Sequence, residues 1–399
     1  MERGHKARLQ GEAGTLPAGC AGGNARSAKT YRTTALAPPR RETRLRRTRA
    51  TGRRMASKII LGVVAAIACG IGGAQAQVIQ GVPVVEAMNA YVEPTGLVEV
   101  EAGRRIHIHC LGSGSPTVVF TAGLGGWSGS WALVQPEVAK TTRACAWDRA
   151  GFGLSDGDAQ NAQTSDQTTQ DLAKALAAAG ERGPFVLVGH SAGAFETLTF
   201  VDRHRDQAAG VVFVDPTRPH DMAREAKAGP KAAAADRAYF ASEAKRLRDC
   251  AAGIEAGTVK TGAPAAPCFQ YYPEIPTAAQ TALARRDAEP ARLRAQASLY
   301  EEYEPNGERV ARDGRDWGDL PLIVVSAGAA ADGGLWSPDA RDEHAALFAD
   351  WTDSHKSLAK LSRRGERRVA EGAGHLVQLQ KPQVVIEAVL AIVKAARPH

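Results

Sequence analysis

The segment GPFVLVGHSAGAFETLTF, residues 183–200, carries a serine between two glycines, at the point where an apolar run gives way to a stretch with helical spacing. The apolar run favours a buried strand, and the stretch after it favours a helix. Gly189 and Gly193 remove the Cβ atoms that would collide in so sharp a turn, which leaves the Ser191 hydroxyl exposed above the strand end. A helix start also supplies free backbone N–H groups and a positive dipole end. The segment therefore predicts a strained turn that carries a nucleophilic serine.

Short Val- and Ile-rich runs alternate with helical patterns from residue 97 onward. The predicted strands are 97–101, 105–110, 117–122, 143–148, 184–190, 210–215, 321–327 and 366–372. The predicted helices are 129–140, 167–179, 191–204, 339–361 and 382–396. Alternation of this kind, with nearly all-apolar strands, predicts an α/β fold in which helices cover both faces of a mostly parallel sheet.

The interval 217–318 breaks this alternation. It is rich in Ala, Arg and Glu, contains YYPEIP at 271–276, and has no convincing strand pattern. We predict a helical insertion over the carboxyl end of the sheet, where open α/β folds bind ligands. The sheet-containing core then comprises residues 97–216 and 319–399.

The N-terminal part of the chain has a different composition. Residues 1–54 hold 14 Lys and Arg against 3 Asp and Glu, and such a tail cannot bury enough apolar surface to offset its ordering entropy. Residues 55–76 have a basic start, a short apolar middle and Ala-Gln-Ala at the end, which is the layout of a secretory signal. We expect translation to start at Met55 and cleavage after Ala76, so that 77–96 form a lead-in and the mature protein is secreted or periplasmic.

The basic charge belongs to this N-terminal part. Residues 1–76 hold 15 basic and 3 acidic side chains, so, of a net charge of +7, the remainder of the chain carries −5. The Arg-rich tail could bind nucleic acid or anionic lipid, but charge runs are usually solvated, and a polyanionic partner is not implied. The apolar part of 55–76 is shorter than a spanning helix, so no stable membrane span is expected after cleavage.

Four cysteines lie beyond the predicted cleavage point. They are Cys110, Cys145, Cys250 and Cys268. An even number of cysteines in an exported protein favours disulfides. Buried free thiols are the alternative.

A serine nucleophile needs a base that a third group orients. His375, in VAEGAGHLVQLQKP, follows the last predicted strand in a Gly-flanked loop and has the best setting of the ten histidines. Two residues compete for the acid. Asp215 ends the strand VVFVD, whereas Asp332 follows the strand at 321–327 in SAGAAADGG. Asp215 is slightly favoured because it needs no loop to hold it, although DPT is also ordinary turn chemistry.

An acyl-transfer site also needs donors for the oxyanion. TVVFTAGLGGWSGSW (117–131) begins with a predicted strand and continues into GLGG and a helix start, and the Leu124 N–H, joined by the Ala192 N–H, can form that pair. Glycines between a strand and a helix can also cradle phosphates. However, GLGGWS lacks the G-x-G-x-x-G spacing, and no P-loop Lys-Ser/Thr follows. No Cys/His cluster has ligand spacing, so neither a metal nor a cofactor is predicted.

Four motifs together make the chain resemble the α/β-hydrolase superfamily, in its lidded branch of esterases, prolyl-aminopeptidase-like enzymes and cofactor-free haloperoxidases. The motifs are TAGLGG, WDRAGFGLSDG (147–157), GHSAG and GAGH. The resemblance implies an eight-stranded, mostly parallel sheet whose second strand is antiparallel, and a lid inserted after the sixth strand. It also implies Ser191 as nucleophile, His375 as base, and an acid after the sixth strand (Asp215) or the seventh (Asp332).

The family's strand order makes the second and fourth strands antiparallel neighbours. The resemblance thus implies that Cys110 lies near Cys145, and that Cys250 and Cys268 close a loop inside the lid. The chain departs from the family at Ala122-Gly123, where many members have His-Gly, and in lacking a compact Gly-x-x-Asp after the seventh strand.

The leading hypothesis is an exported serine hydrolase that cleaves an ester, or an amide, of a small apolar substrate. A peptidase, a cofactor-free haloperoxidase and a non-catalytic ligand-binding protein of the same fold are the alternatives. Trp127, Trp131, Tyr271 and Tyr272 are candidates for an apolar pocket, and each could equally be ordinary packing. The sequence identifies neither the substrate nor the oligomeric state.

Overall fold

The computed structural model describes residues 82–260, 268–269, 272–328 and 338–397. The predicted basic tail (1–54) and signal peptide (55–76) lie outside these ranges. Within them, the strands are β1 (Leu97–Glu101), β2 (Arg104–Leu111), β3 (Thr117–Thr121), β4 (Ala144–Trp147), β5 (Phe185–His190), β6 (Ala208–Val214), β7 (Leu322–Ala327) and β8 (Gly365–Ala370).

All eight strands form one sheet in the order β1-β2-β4-β3-β5-β6-β7-β8. The strand β2 runs antiparallel to both of its neighbours, β1 and β4, and the pairs from β4 to β8 are parallel. The prediction of a mostly parallel sheet with an antiparallel second strand is therefore confirmed. Since β3 to β8 are parallel, their carboxyl ends meet at one edge of the sheet, and that edge gathers the residues discussed below.

The helices lie in the connections between strands and after the last strand. They are α1 (Gln135–Val138), α2 (Ser165–Ala178), α3 (Gly193–Arg203), α4 (Asp221–Ala228), α5 (Pro230–Glu255), α6 (Thr277–Arg286), α7 (Pro290–Glu301), α8 (Tyr303–Arg309), α9 (His344–Ala359), α10 (Val377–Gln380) and α11 (Pro382–Ala396). Short 3-10 helices lie at Glu86–Val92, Ser128–Trp131, Arg205–Gln207 and Pro338–Ala340. None of the helices in the described ranges is both long and apolar enough to cross a bilayer.

The strands bury both of their faces, as their apolar runs predict. In β5, Val186 and Val188 join an apolar cluster with α1 and α11 on one face. Phe185 and Leu187 join a second cluster with α2, α3 and α9 on the opposite face. This alternation follows from the two-residue side-chain period of a strand. It confirms a sheet covered by helices on both faces.

One predicted helix differs from the structure. Residues 129–140 form two short pieces, a 3-10 turn at Ser128–Trp131 and α1, rather than one helix. Pro136 is the reason, because a proline lacks the backbone N–H and its ring clashes with the carbonyl four residues earlier. Pro136 is instead accommodated in the first turn of α1.

The segment between β6 and β7 contains the helices α4 to α8 and no strand among its described residues. We call residues 217–318 the insertion. Within the insertion, a disulfide joins Cys250 on α5 to Cys268, and their Cα atoms lie 5.6 Å apart. That the insertion acts as a lid stays a prediction.

Candidate active site

Ser191 lies in the turn between β5 and α3 in a left-handed conformation, with φ at 48°. The two flanking glycines make this turn possible. A Cβ at Gly189 would lie 2.6 Å from the carbonyl oxygen of Gly193, and one at Gly193 would lie 2.6 Å from that of Thr121. A strained non-glycine residue held by its surroundings is typical of a functional position.

Backbone hydrogen bonds join this turn to the next strand. The Ser191 N–H donates to the Val214 carbonyl at 3.2 Å, and the Ser191 carbonyl accepts from the Thr217 N–H at 3.0 Å. Asp215, which lies between these two partners, also has a positive φ of 40°. The ends of β5 and β6 thus hold Ser191 and Asp215 in one rigid backbone unit.

His375 follows β8 and contacts Asp215 directly. Its Nδ1 lies 2.7 Å from Oδ2 of Asp215. The Asp215 side chain is buried and that of His375 is about one-fifth exposed. This contact gives the imidazole one orienting partner and directs Nε2 away from the carboxylate.

The other carboxylate oxygen of Asp215 is also fixed. Its Oδ1 accepts hydrogen bonds from the Ala327 N–H at 2.9 Å and from Nε1 of Trp351 at 3.1 Å. Burial acts to raise the pKa of Asp215, but the contacts with His375 and His355 and the Ala327 hydrogen bond outweigh it and lower the pKa to about 2. Asp215 is therefore ionised at neutral pH.

Two further histidines support this arrangement. Burial lowers the pKa of His355 to about 4, and its ring is held by Ser326 Oγ and the Pro216 carbonyl, each at 2.9 Å. Burial lowers the pKa of His190 to about 3, and its Nε2 lies 3.0 Å from the carbonyl oxygen of His375. His190 thus joins the loop of His375 to the turn that carries Ser191.

The structure brings His375 and Asp215 together, but within the described residues it has no hydrogen bond between the Ser191 hydroxyl and His375. The imidazole of His375 lies 4.8 Å, between ring centroids, from that of His190, the residue preceding Ser191. Hydrogen bonds of this kind are often long without substrate and tighten when it binds.

The Leu124 and Ala192 backbone N–H groups donate to no other group in the described part of the chain. The loop that carries Leu124 is held by Arg149, whose guanidinium donates to the carbonyls of Ala122 and Gly123 at 2.9 and 3.0 Å. Arg149 is paired in turn with Glu196 on α3, at 2.6 Å. All these groups are buried except Leu124. This bracing of the loop was not predicted, because nothing in the sequence links Arg149 to Glu196.

A cavity of about 200 Å³ adjoins these residues. Gly123, Leu124, His190 and Leu376 belong to its wall, and a Cβ at Gly123 would lie 3.0 Å from the Cβ of Ser191. Most of the other wall residues are apolar. They include Met88, Trp127, Phe152, Leu247, Phe269, Ile275, Leu283 and Leu379.

Of the four aromatic candidates for the pocket, Trp127 and Tyr272 line this cavity. Trp131 does not, because it is fully buried in the core and packs on Phe120 with ring centroids 4.9 Å apart. Tyr271 lies outside the described residues. Asp332, the alternative acid, also lies outside them.

Both cysteine pairs form disulfides. Cys110 and Cys145 are direct partners across β2 and β4, with Cα atoms 4.0 Å apart. Their sulfurs and Glu181 form a group with metal-ligand proximity in the described chain, but disulfide sulfurs are not thiolates and do not suit a metal. The two disulfides suggest an extracellular or periplasmic protein.

Comparison with known proteins agrees with the fold. Residues 118–388 match the model of the alpha/beta hydrolase family. YqjL of Bacillus subtilis (strain 168), itself uncharacterized, is 23% identical over 298 residues, which are 74% of this chain and 90% of that protein.

Solved structures are similar in fold. The epoxide hydrolase CorEH is 17% identical, with a TM-score of 0.51, covering 75% of this chain and 98% of that chain. A thermophilic esterase from Thermogutta terrifontis is 19% identical, with a TM-score of 0.49, covering 74% and 95%.

Proposed function

The chain belongs to the alpha/beta hydrolase family, and within it we propose an exported serine hydrolase that cleaves an ester, or an amide, of a small apolar substrate. Ser191 is the nucleophile, His375 the general base and Asp215 the acid that orients it. The contact of 2.7 Å between His375 Nδ1 and Asp215 Oδ2 carries the proposal. It fixes the tautomer in which Nε2 can accept a proton from serine.

The reaction proceeds in two halves. Ser191 Oγ attacks the substrate carbonyl carbon while its proton passes to Nε2 of His375, and the same proton then leaves with the alcohol or amine. Water, deprotonated by His375, attacks the acyl carbon; the bond to Ser191 Oγ breaks, His375 returns the proton to Oγ, and the acid is released. The ionised Asp215 stabilises the imidazolium in both halves, and its low pKa supports this role across neutral pH.

The oxyanion is bound by the Leu124 and Ala192 N–H groups. Their lack of another partner in the described chain supports this assignment, as does the bracing of the Leu124 loop by Arg149. Donors that are fixed before the reaction stabilise the developing charge without reorganisation. The mostly apolar wall of the cavity supports an apolar acyl or alcohol group.

A serine at position 191 argues against the members of this fold that use an aspartate nucleophile. Epoxide hydrolase and haloalkane dehalogenase chemistry uses an aspartate nucleophile at the elbow, and residue 191 is a serine. Similarity to an epoxide hydrolase at 17% identity therefore concerns the fold alone.

Labelling with a fluorophosphonate probe tests the proposal. The folded protein should be labelled stoichiometrically at Ser191, as located by peptide mass spectrometry. Ser191→Ala should lose the label, and Ser357→Ala, an exposed serine on α9, should keep it. A folded protein that is not labelled would instead support a non-catalytic binding protein.

A substrate series then distinguishes the hypothesis of an esterase from that of an amidase or peptidase. We expect p-nitrophenyl esters of increasing acyl length to be hydrolysed faster than aminoacyl anilides. The reverse order would identify a peptidase.

Export is part of the proposal. The disulfides support an oxidising compartment, and the predicted signal at 55–76 supplies the route. N-terminal sequencing of the protein recovered outside the cytoplasm should begin at Gln77. A mature N-terminus upstream of residue 55 would contradict the assignment.

A further inference from the structure

Among the described residues, four charged side chains line the cavity, and all four come from the insertion. They are Arg246, Glu274, Asp287 and Arg292. Arg246 is paired with Glu243 at 2.9 Å and also donates to the Cys268 carbonyl at 3.1 Å. Arg292 and Asp287 are paired at 3.2 Å. These three groups are thus balanced by neighbours in the protein.

Glu274 differs from the other three. It is 8% exposed, and no side chain or backbone group of another residue in the described chain donates to its carboxyl. Burial raises the pKa of this carboxyl, and a hydrogen bond from its own backbone N–H offsets only part of the effect. A buried carboxyl that lines a cavity without a partner from another residue calls for an explanation.

The backbone around Glu274 is held in place. The buried side chain of Gln280 accepts a hydrogen bond from the Tyr272 N–H at 3.1 Å and donates to the Tyr272 and Ile275 carbonyls, each at 2.9 Å. The Glu274 carbonyl accepts from the Val85 N–H at 2.9 Å. The backbone that carries Glu274 is therefore held on both sides of the residue, which favours a preorganised binding group.

We propose that Glu274 binds a protonated amino group of the substrate, at the end of an otherwise apolar chain whose carbonyl reacts at Ser191. The cavity wall supports this specificity, since the two arginines are each paired with a neighbouring carboxylate, whereas the Glu274 carboxyl has no cationic partner among the described residues. The aromatic rings of Phe269 and Tyr272 line the same wall and also favour a cation. The inference rests on the proposed serine hydrolase function.

Matched esters test the proposal on the unaltered protein. The p-nitrophenyl esters of 6-aminohexanoic and heptanoic acid differ by an ammonium in place of a methyl group, and the next shorter and longer members of each series allow for the depth of the cavity. At pH 7 we expect kcat/KM for the amino ester to exceed that for its methyl counterpart by about 10- to 100-fold at the best chain length. N-acetylation of the amino ester should remove this preference.

Glu274→Gln, which keeps the size of the side chain, should lower the ratio of the two kcat/KM values at least about 10-fold. Glu137→Gln, an exposed carboxyl on α1, should leave the ratio at its wild-type value. A wild-type ratio near one at every chain length, or a ratio that Glu274→Gln does not change, overturns the inference.

Prior labelling of Ser191 separates this failure from failure of the proposed function. If Ser191 is labelled but the amino ester is not preferred, the proposed hydrolase function stands and only the role of Glu274 is rejected. If Ser191 is not labelled, both the proposed function and the role of Glu274 are rejected.

Discussion

The sheet edge and the insertion contribute to the site in different ways. At the sheet edge, Ser191 and Asp215 are held by strand register and by strained backbone, with positive φ at both residues. In the insertion, the helices are connected by side chains. Arg237 pairs with Glu304 at 2.7 Å, Arg294 pairs with Glu255 at 2.6 Å, and a disulfide joins Cys250 to Cys268. The proposed reacting groups therefore depend on the backbone, and the cavity wall depends on contacts that single substitutions can change.

This contrast predicts which kinetic constants will respond. Substitutions at the sheet edge should lower kcat with little change in stability. Substitutions in the insertion should change KM, substrate preference or stability, and should leave the chemical step largely intact. The following changes test the division, beginning with the largest expected effect.

Removal of the proposed nucleophile should have the largest effect. We expect Ser191→Ala to lower kcat for a p-nitrophenyl ester by about 10⁴- to 10⁶-fold, because the other members of the proposed triad cannot act without the nucleophile. Circular dichroism and the melting temperature should remain close to the wild type. Retention of a substantial part of the wild-type rate would place the reaction elsewhere in the molecule.

Replacement of Asp215, the proposed acid, should have a smaller effect. Asp215→Asn should lower kcat by about 10³- to 10⁴-fold, since an amide no longer stabilises the imidazolium or fixes the tautomer of His375. The matched control is Asp332→Asn, which should leave kcat near that of the wild type. If Asp332→Asn had the larger effect, the acid would follow β7 rather than β6.

Loss of the insertion disulfide should affect stability. The bridge spans 18 residues of sequence, and in the chain-entropy model a loop of that size stabilises by about 3 kcal/mol. The double variant Cys250→Ser/Cys268→Ser should lose about that much free energy of unfolding in urea. KM should rise, because Leu247 and Cys268 belong to the cavity wall, whereas kcat should change little. Unaltered stability with a large fall in kcat would contradict the division.

An acidic pair in the insertion, in which Glu225 is buried and Asp236 half-buried, should have the smallest effect. Burial raises the pKa of Glu225 on α4 and of Asp236 on α5, and the two carboxyls interact with each other. A carboxyl with a higher pKa in the folded state keeps its proton there and releases it on unfolding. The free energy of unfolding therefore falls as pH rises above the ordinary carboxyl pKa.

Glu225→Gln removes one of these titrations. At pH 8 it should be about 1 kcal/mol more stable than the wild type, and the difference should disappear near pH 4. Urea unfolding across this pH range measures it, with the exposed Glu137→Gln as the control. A variant that is less stable than the wild type at pH 8 would mean that the ionised Glu225 is satisfied in the fold.

The same contrast explains what the sequence could predict. The strands β3 to β7 were predicted to within about two residues, because an all-apolar run between glycines or turn residues has few other interpretations. The positions of Ser191, Asp215 and His375 follow from this, since each lies at the end of a predicted strand or in the loop after one. Their catalytic roles stay proposals.

The supporting groups could not be predicted. Trp351 and His355 contact Asp215 from α9, and Arg149 reaches Glu196 across 47 positions of sequence. These contacts depend on how helices pack on the sheet, which hydrophobic periodicity does not specify. For the same reason Trp131 was a candidate for the pocket and is instead buried in the core.

The pairing of β6 with β7 limits how the insertion could be exchanged between relatives in order to change substrate specificity. The two strands are parallel neighbours, so a chain leaving the carboxyl end of β6 must travel back about 20 Å before β7 can begin. No tight linker can replace residues 217–318. A chimera should therefore keep the segment that leads back to β7, where Trp317 stacks on Phe213 and Arg315 pairs with Asp202. Only the helices between the end of β6 and this segment should be exchanged.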